Sequence, residues 1–246
     1  MSDSVLGYFK EVPIVQTVQV VKIVAGHSND LNGAQRLNGA QRLNVLSDTS
    51  HSEHCRACKE RVRELLTALY GHCQVNHSFS WPARPGDYEQ TPIGGALRRI
   101  SAGLGDLRGH RDFVKSAFVP PCDYYLPNPP FILEFDESQH FSRPRLMTLS
   151  LYPLEVQLGF PLHRWQDLCR EIDARDDEPL DRDERRAWYD TLRDLVPTLH
   201  GFEPTVRLYA GDYPWCSLNA ASERHRQAFV GLMDHQAPSG KRKHNP

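Results

Sequence analysis

Residues 120–140, Pro-Pro-Cys-Asp-Tyr-Tyr-Leu-Pro-Asn-Pro-Pro-Phe-Ile-Leu-Glu-Phe-Asp-Glu-Ser-Gln-His, place acids on two short apolar segments joined by a tight turn. Cys122 to Leu126 and Phe131 to Phe135 are aromatic and aliphatic runs that read as strands. Pro127-Asn128-Pro129-Pro130 between them is expected to interrupt any ladder, so the pair reads as a hairpin. Side chains alternate along a strand, which puts Glu134 and Asp136 on one face and Leu133 and Phe135 on the other. Asp123, on the partner strand, can point at the same place. Like charges held together are unfavourable, but such a group suits a hard cation such as Mg²⁺, which takes oxygen ligands and keeps several waters.

Working outward from these residues, Asp123, Glu134-Phe-Asp136 and Gln139-His140 resemble the core motif of the PD-(D/E)xK nuclease superfamily, in the variant of the very-short-patch-repair endonuclease and its bacterial relatives. The resemblance implies an α/β fold, a restriction-endonuclease-like mixed β-sheet flanked by helices, here with an extra N-terminal β segment. It implies Asp123 and Glu134 as ligands of Mg²⁺ or Mn²⁺, with Asp136, Gln139 and His140 supplying further polar groups around metal, water and scissile phosphate. Two positions depart from the pattern. The usual lysine two residues after the second acid is Asp136, and the small glycine of the related motif is Glu137. Lys115 is a remote candidate for the missing lysine, Gln139 for orienting water, and His140 for general acid or base chemistry or a hydrogen bond to phosphate. The same acids would also fit a hairpin that binds nothing, since Asp, Asn and Pro are ordinary turn formers.

The chain has 246 residues, a formal net charge of -2 and 24 % charged residues. That length suits one elaborated domain, and that balance carries no global basic field, so contacts to nucleic acid must come from local patches. Candidates are Arg98, Arg99, Arg108, Arg111 and Lys115 before the motif, Arg143 and Arg145 just after it, and the tail Lys241-Arg-Lys-His244. Six irregularly spaced cysteines do not make a disulfide framework, and neither a leading signal-like segment nor a membrane-length apolar run is present. The expectation is a cytoplasmic protein without a membrane partner.

Val12 to Ala25 reads as one or two strands, followed by Asn-Gly-Ala-Gln-Arg-Leu at 32–37 and again at 38–43. Two copies are too few for a solenoid. His54 to Tyr70 reads as a helix with Cys55, Cys58, Val62, Leu65, Leu66 and Leu69 on one face and Gly71 as its stop. Glu60 and Glu64 on another face are secondary acids, because an N-terminal helix lends an acid to the site in the resembling nucleases. His51, His54, Cys55, Cys58, His72, Cys73 and His77 are metal-type ligands at close spacing, yet only one Cys-x-x-Cys pair occurs and its thiols fall on the apolar face. Zn²⁺ is therefore not the expected cofactor. Residues 82–112 read as an irregular excursion, Leu162 to Asp173 and Arg182 to Leu195 as helices, Asp176 to Asp183 as an acidic loop, and Thr205 to Tyr209 as a last strand. The expected organisation is an N-terminal β segment with a polar extension over 1–50, a nuclease-like α/β domain over 51–236 and a basic disordered tail over 237–246.

The expected function is metal-dependent hydrolysis of phosphodiester bonds, with nucleic acid, DNA first, as partner and a homodimer as an admissible assembly. Two alternatives remain: a catalytically inactive nuclease-like binding module, motivated by the absent lysine, and a zinc-stabilised interaction protein.

Overall fold

In the computed structural model of the protein, the described residues are 53–235. The expected β segment at Val12 to Ala25, the direct repeat, His51 and the basic tail from Lys241 lie outside the described residues. The described elements run α1 (Arg56–Tyr70), β1 (Gln74–His77), α2 (Gly94–Leu107), β2 (Cys122–Pro127), β3 (Pro130–Asp136), α3 (Arg143–Ser150), α4 (Leu162–Ile172), α5 (Arg182–Leu195), β4 (Val206–Tyr209) and α6 (Glu223–His235).

The four strands form one mixed sheet in the order β1-β2-β3-β4. β1, β2 and β3 are successively antiparallel, while β4 runs parallel to β3. A parallel neighbour requires a crossover, and α3, α4 and α5 make it. Alternation along β3 divides the interior as the sequence predicts. Phe131, Leu133 and Phe135 pack with Val62, Leu65 and Leu66 of α1 and Phe229 and Met233 of α6. Ile132, on the opposite face, packs with residues of α2, α3, α4 and α5. The sheet is thus flanked by helices on both faces.

Local chemistry sets the boundaries. α1 stops at Gly71, whose φ of 82° is open to glycine and whose amide bonds back to the Thr67 carbonyl. Ser142 caps α3 through Oγ, which accepts from the Arg145 amide, and Pro144 occupies the first turn where its missing N–H is harmless. From Ala187 to Leu195 every residue of α5 is buried, so this helix crosses the interior with its charges as well as its apolar side chains enclosed.

Two expectations are corrected. The ladder does not end before the prolines: Pro127 pairs with Pro130, and only Asn128 and Pro129 form the turn. Such a pair closes a hairpin without needing the N–H that proline lacks. Residues 82–112 are not an irregular excursion, because Leu97, Ile100 and Leu104 bury a helical stripe in α2 beneath exposed Arg98 and Arg99. α5 spans Arg182–Leu195 as the helical stripe predicts, and Asp183 in its first turn accepts the Asp176 amide. The stretch after the motif, which the sequence analysis did not assign, contains α3. β1 and α6 complete the fold without having been read from the sequence. No helix among the described residues is long and apolar enough to cross a membrane.

Candidate active site at the open end of the hairpin

The β2–β3 register pairs Tyr124 with Leu133, so one residue further Asp123 lies across from Glu134. Asp123 is half-buried, and its Oδ2 accepts the Phe135 amide at 2.8 Å, which holds the carboxylate against β3. Glu134 is 3 % exposed. Its Oε2 lies 3.2 Å from Arg193 Nε, and its Oε1 is buried with no hydrogen-bond partner. Burial pushes the Glu134 carboxyl up to about 8; Arg193 opposes the rise and the Asp123 charge adds to it. An orphaned, desolvated carboxylate oxygen beside a second carboxylate is an unfavourable arrangement for the chain alone, and it is one that a cation relieves.

Asp136 is placed differently. Its Oδ1 accepts from Arg207 Nη1 at 2.6 Å and its Oδ2 from Trp165 Nε1 at 2.7 Å. Both oxygens are thus engaged inside the protein. Arg207 stands beside Glu134 in the parallel register of β3 and β4 and also donates through Nε to Asp194 at 2.7 Å. Asp190, Arg193 and Asp194 recur at i, i+3 and i+4 along α5, which brings them onto the face that meets β3 and β4. Arg193 Nη2 donates to Asp190 Oδ1 at 2.8 Å, and His140 Nδ1 lies 2.9 Å from Asp190 Oδ2. Burial disfavours a charged His140, yet Asp190 and Asp136 outweigh it and hold its pKa above the ordinary histidine value. Asp190 is likewise opposed by burial, but His140, Arg207 and Arg193 hold it well below the usual carboxylate range.

Arg145 does not face nucleic acid. It is 1 % exposed, donating to Asp194 at 2.6 Å and to the Tyr152 hydroxyl at 2.8 Å. This corrects the expectation of a surface contact: a basic residue near a motif is read as surface until a buried acid claims it. Arg143, at the start of α3, is exposed. Arg111 pairs with Asp106, and Lys115 pairs with Asp112 and Asp181, away from the acids of the hairpin. Glu60 and Glu64 pair along α1 with Arg63 and Arg61. Gln139 donates to Glu137 at 3.1 Å.

Besides Arg193 and Arg207, a further cation near the hairpin end, which the sequence reading missed, is Lys59 of α1. Its Nζ lies 3.2 Å from Glu137 Oε1 and 5.9 Å from the Phe135 ring centre, and the Tyr124 hydroxyl donates to its carbonyl at 2.8 Å. Burial works against its charge, but Asp123, Glu137 and Glu134 hold its pKa above the usual lysine value. Two residues before α1 reaches its cap, Glu53 accepts from Ser138 through amide and hydroxyl and from Tyr209, tying the start of the helix to the ends of β3 and β4. The available signal was the helical stripe itself: Lys59 flanks Cys58 on the helix that covers Phe135.

The Glu134 environment predicts a pH dependence of stability. Its ordinary value is 4.5, so between about 4.5 and 8 the folded chain holds a proton that the unfolded chain has released, and stability falls as pH rises through that window. Each tenfold difference in proton affinity is worth about 1.4 kcal/mol. Glu134→Gln is expected to gain on the parent by on the order of a few kcal/mol near pH 8 in EDTA, and little near pH 4. Urea midpoints at both pH values check this; parallel pH profiles would contradict the assignment.

No known protein family, curated protein or solved structure matches the chain.

Proposed function

We propose that the chain is a divalent-metal-dependent nuclease with a restriction-endonuclease-like core that hydrolyses phosphodiester bonds of DNA. The observation that carries this reading is the juxtaposition of half-buried Asp123 with Glu134, whose buried Oε1 has no hydrogen-bond partner, with the Lys59 ammonium paired to Glu137 just past the end of β3. The fold supports it: a mixed four-stranded sheet flanked by helices is the architecture that the motif resemblance implies.

Two carboxylates with an unsatisfied oxygen are a hard-donor set that fits Mg²⁺ or Mn²⁺. Held by Asp123 and Glu134, the ion would supply Lewis acidity toward a phosphate oxygen and a water of lowered pKa. The remaining work falls to the chain. Lys59 offers from α1 the positive charge that the superfamily places after the second acid, where this chain has Asp136. It neutralises charge building on the scissile phosphate and orients water by hydrogen bonding. His140, whose charged form Asp190 favours, stands as an anchored proton carrier next to the hairpin end. Asp136 acts as a positioning residue, since its bonds to Arg207 and Trp165 lock the end of β3.

The test is cleavage of mixed single- and double-stranded DNA by the purified chain with Mg²⁺ or Mn²⁺, beside Lys59→Gln. The parent is expected to cleave only with metal. Lys59→Gln is expected to be slower by roughly 10²-fold, with metal affinity measured by calorimetry changed only a few-fold. Cleavage that survives EDTA would overturn the mechanism. Metal binding without cleavage would move the chain to the non-hydrolytic binding module.

A further inference from the structure

We propose that Cys55, Cys58 and Cys216 form a Zn²⁺ site that clamps the start of α1 to the segment following β4. Their sulfurs all lie within 4.8 Å of one another, a grouping formed by no other His, Cys, Asp or Glu side chains among the described residues. Tetrahedral zinc with Zn–S bonds of about 2.3 Å holds its sulfurs roughly 3.8 Å apart, so the three thiols need only side-chain adjustment to close on an ion. The two cysteines of the Cys-x-x-Cys pair are one half of such a site. The fold supplies what the sequence pattern lacked, a third thiol from a position 158 residues along the chain from Cys58.

Burial pushes the Cys58 thiol up to about 12, so the ion has to displace its proton, and the surrounding elements hold the three sulfurs in place. Cys55 occupies the N-cap of α1, and the Cys58 amide donates to its carbonyl at 3.0 Å, which fixes the first turn that carries both thiols. The Cys216 amide donates to Cys58 Sγ at 3.2 Å. N–H···S bonds of this kind offset negative charge on sulfur and fix its direction toward a metal. Cys216 sits on the short turn Trp215–Ser217, and buried Trp215 anchors that turn: its ring packs against Phe135 and Phe229, and its Nε1 donates to the Tyr209 carbonyl at 3.1 Å. The third ligand is therefore carried by a rigid element. None of the three is joined in a disulfide. Packing as small hydrophobes explains a buried Cys58, but Cys55 and Cys216 are only half-buried and turn their sulfurs toward it.

Soft thiolates select Zn²⁺, whereas the carboxylates of Asp123 and Glu134 select a hard ion, so the two sites take different metals. Each thiol gives up its proton as the ion binds, and a water or a further side chain completes the tetrahedron. The site does not depend on the nuclease reading. Lys59 follows Cys58 directly, so the clamp also fixes the helix turn that carries the cation of the hairpin end.

The test uses the full chain purified under reducing conditions without a metal-binding tag. Elemental analysis is expected to find one zinc per chain in the parent and in Cys73→Ser and Cys169→Ser, and to find it lost in Cys55→Ser and Cys216→Ser. Because those last variants can fail to fold, the parent is also stripped and refilled with Co²⁺. Sulfur-to-cobalt charge-transfer bands with tetrahedral d–d absorption are expected, together with protection of three thiols, mapped to Cys55, Cys58 and Cys216, from alkylation. A zinc-free parent that shows no cobalt–thiolate band would overturn the proposal. A Cys55–Cys58 disulfide persisting under reducing conditions would overturn it in favour of a redox pair.

Discussion

Asp123→Asn and Glu134→Gln are each expected to lower Mg²⁺-dependent cleavage by roughly 10²- to 10⁴-fold while the domain stays folded, since each tenfold loss corresponds to about 1.4 kcal/mol and a metal contributes several kcal/mol to the transition state. Both substitutions keep the shape of the side chain and remove its charge. Asparagine at 123 can still accept the Phe135 amide that Asp123 Oδ2 now accepts, so the hairpin end keeps its local bond. Glutamine at 134 occupies a site where burial already disfavours the ionised carboxyl. Loss of rate without loss of fold therefore separates chemistry from architecture. Single-turnover cleavage, read beside circular dichroism and a calorimetric Mg²⁺ titration, is the measurement. Folded variants that both cleave at the parental rate would eliminate Asp123 and Glu134 as metal ligands.

Arg207→Ala is expected to cost about 3–5 kcal/mol, the range for removing one partner from a buried ion pair. The side chain has no exposure, and it is the link between Asp136 of β3 and Asp194 of α5. Without it Asp136 retains Trp165 and the more distant His140 Nδ1 at 3.6 Å, and Asp194 retains Arg145 and Tyr152. Small-domain stability is about 5–15 kcal/mol in total, so the variant sits close to unfolding. Arg207→Lys recovers little, because an ammonium cannot span both carboxylates as the guanidinium fork does. Arg143→Ala, on an exposed position of α3, is the control and is expected to change stability by less than about 0.5 kcal/mol. Urea denaturation followed by tryptophan fluorescence reads all three, with Trp165 in direct contact with the disturbed carboxylate.

What was legible followed from short-range pattern. β2 and β3 announce themselves by apolar runs bounded by prolines, and α1 and α5 by stripes at helical spacing with a glycine or proline beyond the end. α2 escaped because Gly94, Gly95, Gly103 and Gly105 and the pair Arg98-Arg99 dilute the stripe of Leu97, Ile100 and Leu104. β1 escaped because Gln-Val-Asn-His holds one apolar residue and exists as a strand only by pairing with β2. The site divided along the same line. Alternation put Glu134 and Asp136 on one face, but nothing local tells that Arg207 and Trp165 consume the second acid. Lys59 and Cys216 were missed for the same reason, since each acquires its meaning from a partner far along the chain.

The wait for Arg207 bears on how the chain folds. Asp136 and its cation are 71 residues apart, so a growing chain completes the hairpin well before it makes the group that allows this acid to be buried. Until then Glu134 and Asp136 keep the Ile132 face of β3 hydrated, whereas Leu133 and Phe135 are already free to close on α1. The two faces of one strand are thus completed at different times. Pairing β4 with β3 is a high-contact-order step of the kind that slows folding, and here it is also the step that neutralises the interior.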